Sequence, residues 1–273
     1  MKKYAFIPVL LLAFLWIQSC KKDSRADENT EAITHDEVKK LAQADNETDK
    51  LFDIVDVYGL ENGVASKTPG LPSCVTRTVV HNGNTVTVTF EFDPAGCTLP
   101  NGNTYAGTLI LTRTLNPAAQ SMTGSLVFDN FYVNDIQIDG SSAFERLLSN
   151  ANGNPQTTYD FDFTITYSNG DMEVRQGNRV REWIAGYNTP VMADDVFLIT
   201  GNGHFELRNG DEYNILIVNP LRRELSCPFY VSGTMNIEKN NETYILDYGN
   251  GNCDNEATLT LPNGTVQVIQ LGN

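Results

Sequence analysis

Hydrophobic and polar positions follow two different periods along this chain. From Pro69 onward the period is two. Val86, Val88, Phe90 and Phe92 alternate with Thr85, Thr87, Thr89 and Glu91, and Tyr159, Phe161, Phe163, Ile165 and Tyr167 alternate with Asp160, Asp162, Thr164 and Thr166. Alternation sends one set of side chains to each face of a strand, so these segments predict half-buried antiparallel strands. Asn-Gly pairs punctuate them at Asn82-Gly83, Asn101-Gly102, Asn169-Gly170, Asn209-Gly210 and Asn263-Gly264. Asn-Gly supplies the positive φ angles of a tight hairpin. Repeated hairpins predict a mainly β fold over residues 69–273, an antiparallel meander of roughly ten to twelve strands, folded as a sandwich or a curled open sheet.

Upstream the pattern is helical. Thr34 and Glu37 stand at the spacing of a capping box, and Val38, Leu41, Ala42, Leu51, Phe52 and Val55 recur at helical intervals, interrupted by Asp45 and Thr48. One helix, or two short ones, is predicted over about 35–57, within a helical segment and linker at 34–68. Its apolar stripe is expected to pack on the sheet. Residues 20–33 are polar and aperiodic, as in a tether.

The first residues add a location. Lys2 and Lys3 precede an apolar run from Tyr4 to Ile17, followed by Gln18, Ser19 and Cys20. A charged start, a short apolar stretch and a small residue at the cleavage point form an export signal. The run is about 14 residues against the roughly 20 needed to span a bilayer, and it contains Pro8. A cysteine directly after the small residue resembles a bacterial lipoprotein signal, in which residues 1–19 are removed and Cys20 carries the lipid. The expected location is the outer membrane, on its periplasmic face or the cell surface, with the membrane as partner through that anchor. Lys21 and Lys22 directly after the cysteine leave both faces open.

The whole chain carries 19 basic and 34 acidic residues, net −15. Removing Lys2 and Lys3 with the signal leaves 17 against 34, net −17. Such a surface repels nucleic acid and anionic lipid, so nucleic acid is excluded as a partner.

Setting Cys20 aside leaves Cys74, Cys97, Cys227 and Cys253, an even number in an exported chain, which suggests disulfides. If Asn240-Asn241 is a two-residue turn, Lys239 faces Glu242 and Cys227 faces Asp254, one residue from Cys253. A bulge at Gly249 or Gly251 would close that gap. Cys74 and Cys97 flank the Asn82-Gly83 hairpin, out of register by about six residues, which Asp93-Pro94-Ala95-Gly96 would have to absorb. A metal site is the rival use of these residues. It is weak, because no CxxC occurs and His35, His81 and His204 are far apart.

The stretches Phe128–Asp135, Arg181–Pro190, Asp194–Gly201 and Tyr248–Thr258 resemble a group of uncharacterised all-β lipoproteins from Bacteroidetes-type bacteria. The resemblance implies envelope localisation and carries over no catalytic residues.

Three constellations could bear chemistry. Arg179 and Arg181 share a strand face beside Glu182 and Trp183, and could grip a carboxylate or phosphate with guanidinium stacking on the indole. The structural alternative is a cross-strand ion ladder with Trp183 in the core. Asp160 with Asp162, Asp129 with Asp135, and Asp194 with Asp195 are carboxylate pairs of the kind that serve calcium or glycoside hydrolysis, or simply exposed strand faces. Phe128, Phe131, Tyr132, Tyr159, Tyr167 and Trp183 form a sugar platform or a core. No Gly-x-Ser-x-Gly elbow occurs. The expected function is a lipid-anchored envelope protein acting as a non-catalytic binding or structural module, with a glycan or an envelope protein as partner and no cofactor. The alternatives are a carrier of an apolar ligand inside a curled sheet and a glycan hydrolase.

Overall fold

The computed structural model describes residues 32–60 and 70–272, together with Met1. Cys20, the signal at 1–19, most of the tether and much of the linker lie outside the described residues.

Among the described residues, thirteen strands form one sheet: β1 (Val75–Asn82), β2 (Thr85–Thr98), β3 (Thr104–Asn116), β4 (Ser121–Val133), β5 (Ile136–Leu147), β6 (Gln156–Thr166), β7 (Met172–Ala185), β8 (Val196–Leu207), β9 (Glu212–Glu224), β10 (Tyr230–Lys239), β11 (Glu242–Asn250), β12 (Glu256–Thr260) and β13 (Val266–Gln270). Their order in the sheet is their order in the chain, so each strand pairs with the next as a hairpin. The sheet is not closed, and β1 and β13 are its edges. A single curled sheet is therefore formed, not a sandwich. The strand count exceeds the expected range, and β12 and β13 hold only five residues each, too few for alternation to stand out.

Local chemistry sets the hairpins. At Asn101, Asn169, Asn209 and Asn263 the turn is built one way. The following glycine donates its N–H to the carbonyl three residues back, and the asparagine side chain accepts from the amide two residues on. The fifth turn is displaced by one residue: Asn82 pairs with Thr85, so Gly83-Asn84 turns. Asn240 and Asn241 both adopt positive φ, 54° and 63°, and Lys239 pairs with Glu242 as expected.

Both disulfides form, Cys74–Cys97 and Cys227–Cys253. Val75 pairs with Phe92, which puts Cys74 level with Asp93, four residues from Cys97. The β2–β3 register shifts between Phe92 and Cys97, so Asp93–Gly96 bulges out and absorbs the difference. Near the second bond the β10–β11 register shifts between Ser232 and Thr234, and Gly249 and Gly251 both have positive φ.

The helix α1 (His35–Ile54) opens with the predicted capping box, runs unbroken through Asp45 and Thr48, and ends in a π-turn at Val55–Gly59. The sheet curls around it. Side chains from β3 (Tyr105), β5 (Arg146), β9 (Arg223), β10 (Tyr230) and β13 (Gln267) all reach α1 or the π-turn that ends it. Every residue from Ala44 to Leu60 is buried. The expected apolar stripe is thus only part of the contact. Phe52 stacks on Tyr159 at 4.0 Å between ring centres, and the inward faces of β2, β3, β6 and β8 complete one continuous core.

Candidate functional site

Asp45, Asp49, Asp53 and Asp56 recur at intervals of four, four and three, which aligns them on one face of α1 and its extension. Opposite them, alternate residues of β7 point inward: Glu173, Arg175, Arg179, Arg181 and Trp183 are all buried. The two rows meet. Arg181 divides its three nitrogens among three carboxylates: Nη1 to Asp49 at 2.9 Å, Nη2 to Asp53 at 2.5 Å and Nε to Asp56 at 2.8 Å. Arg179 and Arg175 both reach Asp45, and Arg175 also pairs with Glu173.

Neighbouring strands complete the set. Arg223 of β9 binds Asp53. Asp56 Oδ1 accepts from Arg146 at 3.1 Å, Thr157 at 2.8 Å and Tyr159 at 2.9 Å. Tyr230 donates to Asp49. Five arginines therefore face five acidic side chains, Asp45, Asp49, Asp53, Asp56 and Glu173. Aromatic rings lie over four of the five guanidinium groups, most closely Phe205 at 3.8 Å from Arg175 and Phe197 at 4.6 Å from Arg181. Burial alone would lower the pKa of Arg181, but Asp53, Asp49 and Asp56 outweigh it and hold the group well above its ordinary value.

The arginines singled out from the sequence as ligand-binding are thus placed otherwise. Arg179 and Arg181 grip carboxylates, but those carboxylates belong to the chain's own helix. Trp183 is 3% exposed, stacks on Phe197 at 5.0 Å and donates its indole N–H to Asp195 at 3.2 Å. It is a core residue, and the cation over its ring is Arg146 at 5.6 Å. The ion ladder forms between sheet and helix, where a cross-strand ladder was the expected structural alternative.

The aromatic platform does not assemble on the surface: Phe131, Tyr159 and Trp183 are buried, and Phe128, Tyr132 and Tyr167 are half-buried. Phe131 and Tyr159 are fully buried, and Phe128 packs on Phe131 and Phe163 at 5.5 Å. Asp129, Asp135, Asp160, Asp162 and Asp194 are exposed, whereas Asp195 is buried. Among the described residues no three metal-binding side chains converge. The helix carboxylates had not been singled out from the sequence. Their signal was the aspartate spacing, together with arginines at alternate positions of a strand.

Recesses occur both on the outside of the sheet and beside the helix. A shallow groove of about 520 Å³ crosses the outer face of β7–β11, bordered by Gln176, Asn202, His204, Asn214, Asn236 and Glu238. A recess of about 180 Å³ flanks the helix beside Lys50 and Phe229. The chain matches no family model, no curated protein and no solved structure.

Proposed function

We propose that this chain is a lipid-anchored envelope protein, held in the outer membrane through Cys20, whose domain is a non-catalytic binding or structural module. The observation that carries the non-catalytic part is the internal use of its most concentrated chemistry. The five arginines and their carboxylates fix a helix and face no solvent. The two disulfides suit an oxidising compartment outside the cytoplasm. The signal before Cys20 and the resemblance to envelope lipoproteins support the same location.

The helix occupies the interior that an apolar cargo would need, which weighs against a carrier. A glycan hydrolase needs two carboxylates converging on a cleft. Asp160 and Asp162 lie on the outer face, where they accept from Asn178 and Gln176. Recognition by this domain would fall to its outside.

Fatty-acid labelling with membrane fractionation tests the anchor. The native chain takes up label and sediments with membranes, and Cys20→Ala does neither. Equal labelling of both proteins would refute it.

A further inference from the structure

We infer that the groove on the outer face of β7–β11 is a binding site for a neutral, hydroxyl-rich ligand, a glycan chain. The inference deepens the binding-module proposal and rests on it. Sheet register sets the geometry. Gln176 pairs with His204, His204 with Asn214, and Asn214 with Glu238, so four polar side chains form a row across four strands. A second row runs beside it through Asn178, Asn202, Leu216 and Asn236. Neighbouring strands are about 4.8 Å apart, so the first row presents a polar group on every strand at close to the length of one sugar ring.

The chemistry of the rows selects the ligand. A side-chain amide both donates and accepts, which matches a hydroxyl, itself donor and acceptor. Lysine and arginine are missing from the groove border, and the chain is strongly acidic, so an anion is disfavoured. Glu238 is the border's single carboxylate, too little for a cation site. Leu216 is 52% exposed in the middle of the second row and offers an apolar surface to the C–H face of a sugar.

Some groups are held and others are available. Asn178 donates to Asp160 at 2.8 Å, Gln176 to Asp162 at 3.2 Å, and His204 contacts Asn214 at 3.0 Å. Among the described residues, no side-chain hydrogen bond engages the side chains of Asn202, Asn236 or Glu238. The floor is stiff. Gly177 pairs with Gly203, and a Cβ on either would come within 2.9 Å of an aromatic ring beneath, Phe161 or Phe205. On the underside of the same strand Arg175 and Arg179 are locked to Asp45. A site on so constrained a strand is pre-organised, which reduces the ordering cost of binding.

The test uses the full-length chain in detergent micelles, titrated calorimetrically with neutral gluco-, manno- and galacto-oligosaccharides and with anionic polygalacturonate. An Asn202→Ala/Asn236→Ala double variant removes the two available amides, and Val127→Glu, on the outer face of β4, is the control. The expected result is binding of a neutral oligosaccharide, weakened about tenfold or more in the double variant, as for loss of central contacts, and unchanged in the control. An unchanged urea midpoint would show that the double variant is folded. Undiminished binding by the double variant would overturn the site while leaving the binding module standing. Preference for polygalacturonate, or no binding of any neutral oligosaccharide, would overturn the ligand class. Retention of that same protein on immobilised envelope material would then show that only the ligand class had failed.

Discussion

Asp53 accepts two hydrogen bonds from Arg223 through one oxygen, from Nε at 2.9 Å and Nη2 at 2.7 Å, while its other oxygen accepts from Arg181. One helix carboxylate thereby ties β7 to β9 from beneath the sheet. All three side chains are at most 1% exposed. Asp53→Ala leaves two buried guanidinium groups short of charge, and breaking a buried pair from one side costs about 3–5 kcal/mol. Arg223→Met removes a charge whose carboxylate keeps Arg181, so it should cost less. Urea unfolding of the two variants checks the order, and an equal or smaller loss for Asp53→Ala would contradict the bridging role.

Arg181 should not tolerate lysine. Its three nitrogens reach Asp49, Asp53 and Asp56 in one plane. An ammonium is a compact point charge without that fork. Arg181→Lys keeps the net charge and should still lower stability by about 2–4 kcal/mol, since carboxylates remain buried and under-satisfied. Stability within 0.5 kcal/mol or so of the native chain, the level of an ordinary surface change, would show that geometry is unimportant there.

Glu37 links acid sensitivity to the start of the helix. Burial pushes its carboxyl up, but hydrogen bonds from Lys239, Tyr213 and Thr34 outweigh this and bring its pKa from the ordinary 4.5 to about 2. A depressed folded-state pKa stabilises the native state above the unfolded value, and that stability is lost as pH falls through the folded one. Glu37→Gln should therefore be less stable than the native chain above pH 4.5, with the gap closing between pH 4.5 and 2. Urea midpoints of both proteins across that range provide the measurement. A gap independent of pH would assign the effect to packing.

The disulfides close loops with sequence separations of 23 and 26 residues. Loops of this length imply about 3–4 kcal/mol each by the chain-entropy argument. Cys227→Ser/Cys253→Ser and Cys74→Ser/Cys97→Ser should each lower the urea midpoint. Non-reducing peptide mapping should recover only these two pairings from the exported protein.

Gly107 has φ +82°, and a Cβ there would sit 1.9 Å from the carbonyl oxygen of Asn130, at the register shift between β3 and β4. Gly107→Ala combines backbone strain with that clash and should cost about 1–3 kcal/mol or more. Gly210→Ala, at an open turn with φ +87° and no atom within 4 Å, bears strain alone and should cost less. Thermal unfolding of both variants separates the two effects.

Much of the fold is written locally. The alternation of Val86 to Phe92 and of Tyr159 to Tyr167, the Asn-Gly turns, the Thr34–Glu37 capping box and the Asn240-Asn241 register each depend on a few consecutive residues, and all appear where expected except the turn at Asn82-Gly83, which moves on by one residue to Gly83-Asn84. Cys227–Cys253 followed from that register, and the acidic balance and the segment before Cys20 needed no fold at all. The partners of Asp45, Asp49, Asp53 and Asp56 were a different matter. Their spacing was visible, but a carboxylate every turn of a helix equally describes a solvated face, and arginines at alternate strand positions equally describe an exposed one. Only the curl of thirteen strands around the helix brings residues about 130 positions apart into contact. Without a dry interior neither row has reason to find the other. Most strands and turns, and the helix cap, are legible along the chain because their causes are short-range. Arg179, Arg181 and Trp183 belong to the core because burial is a property of the whole sheet.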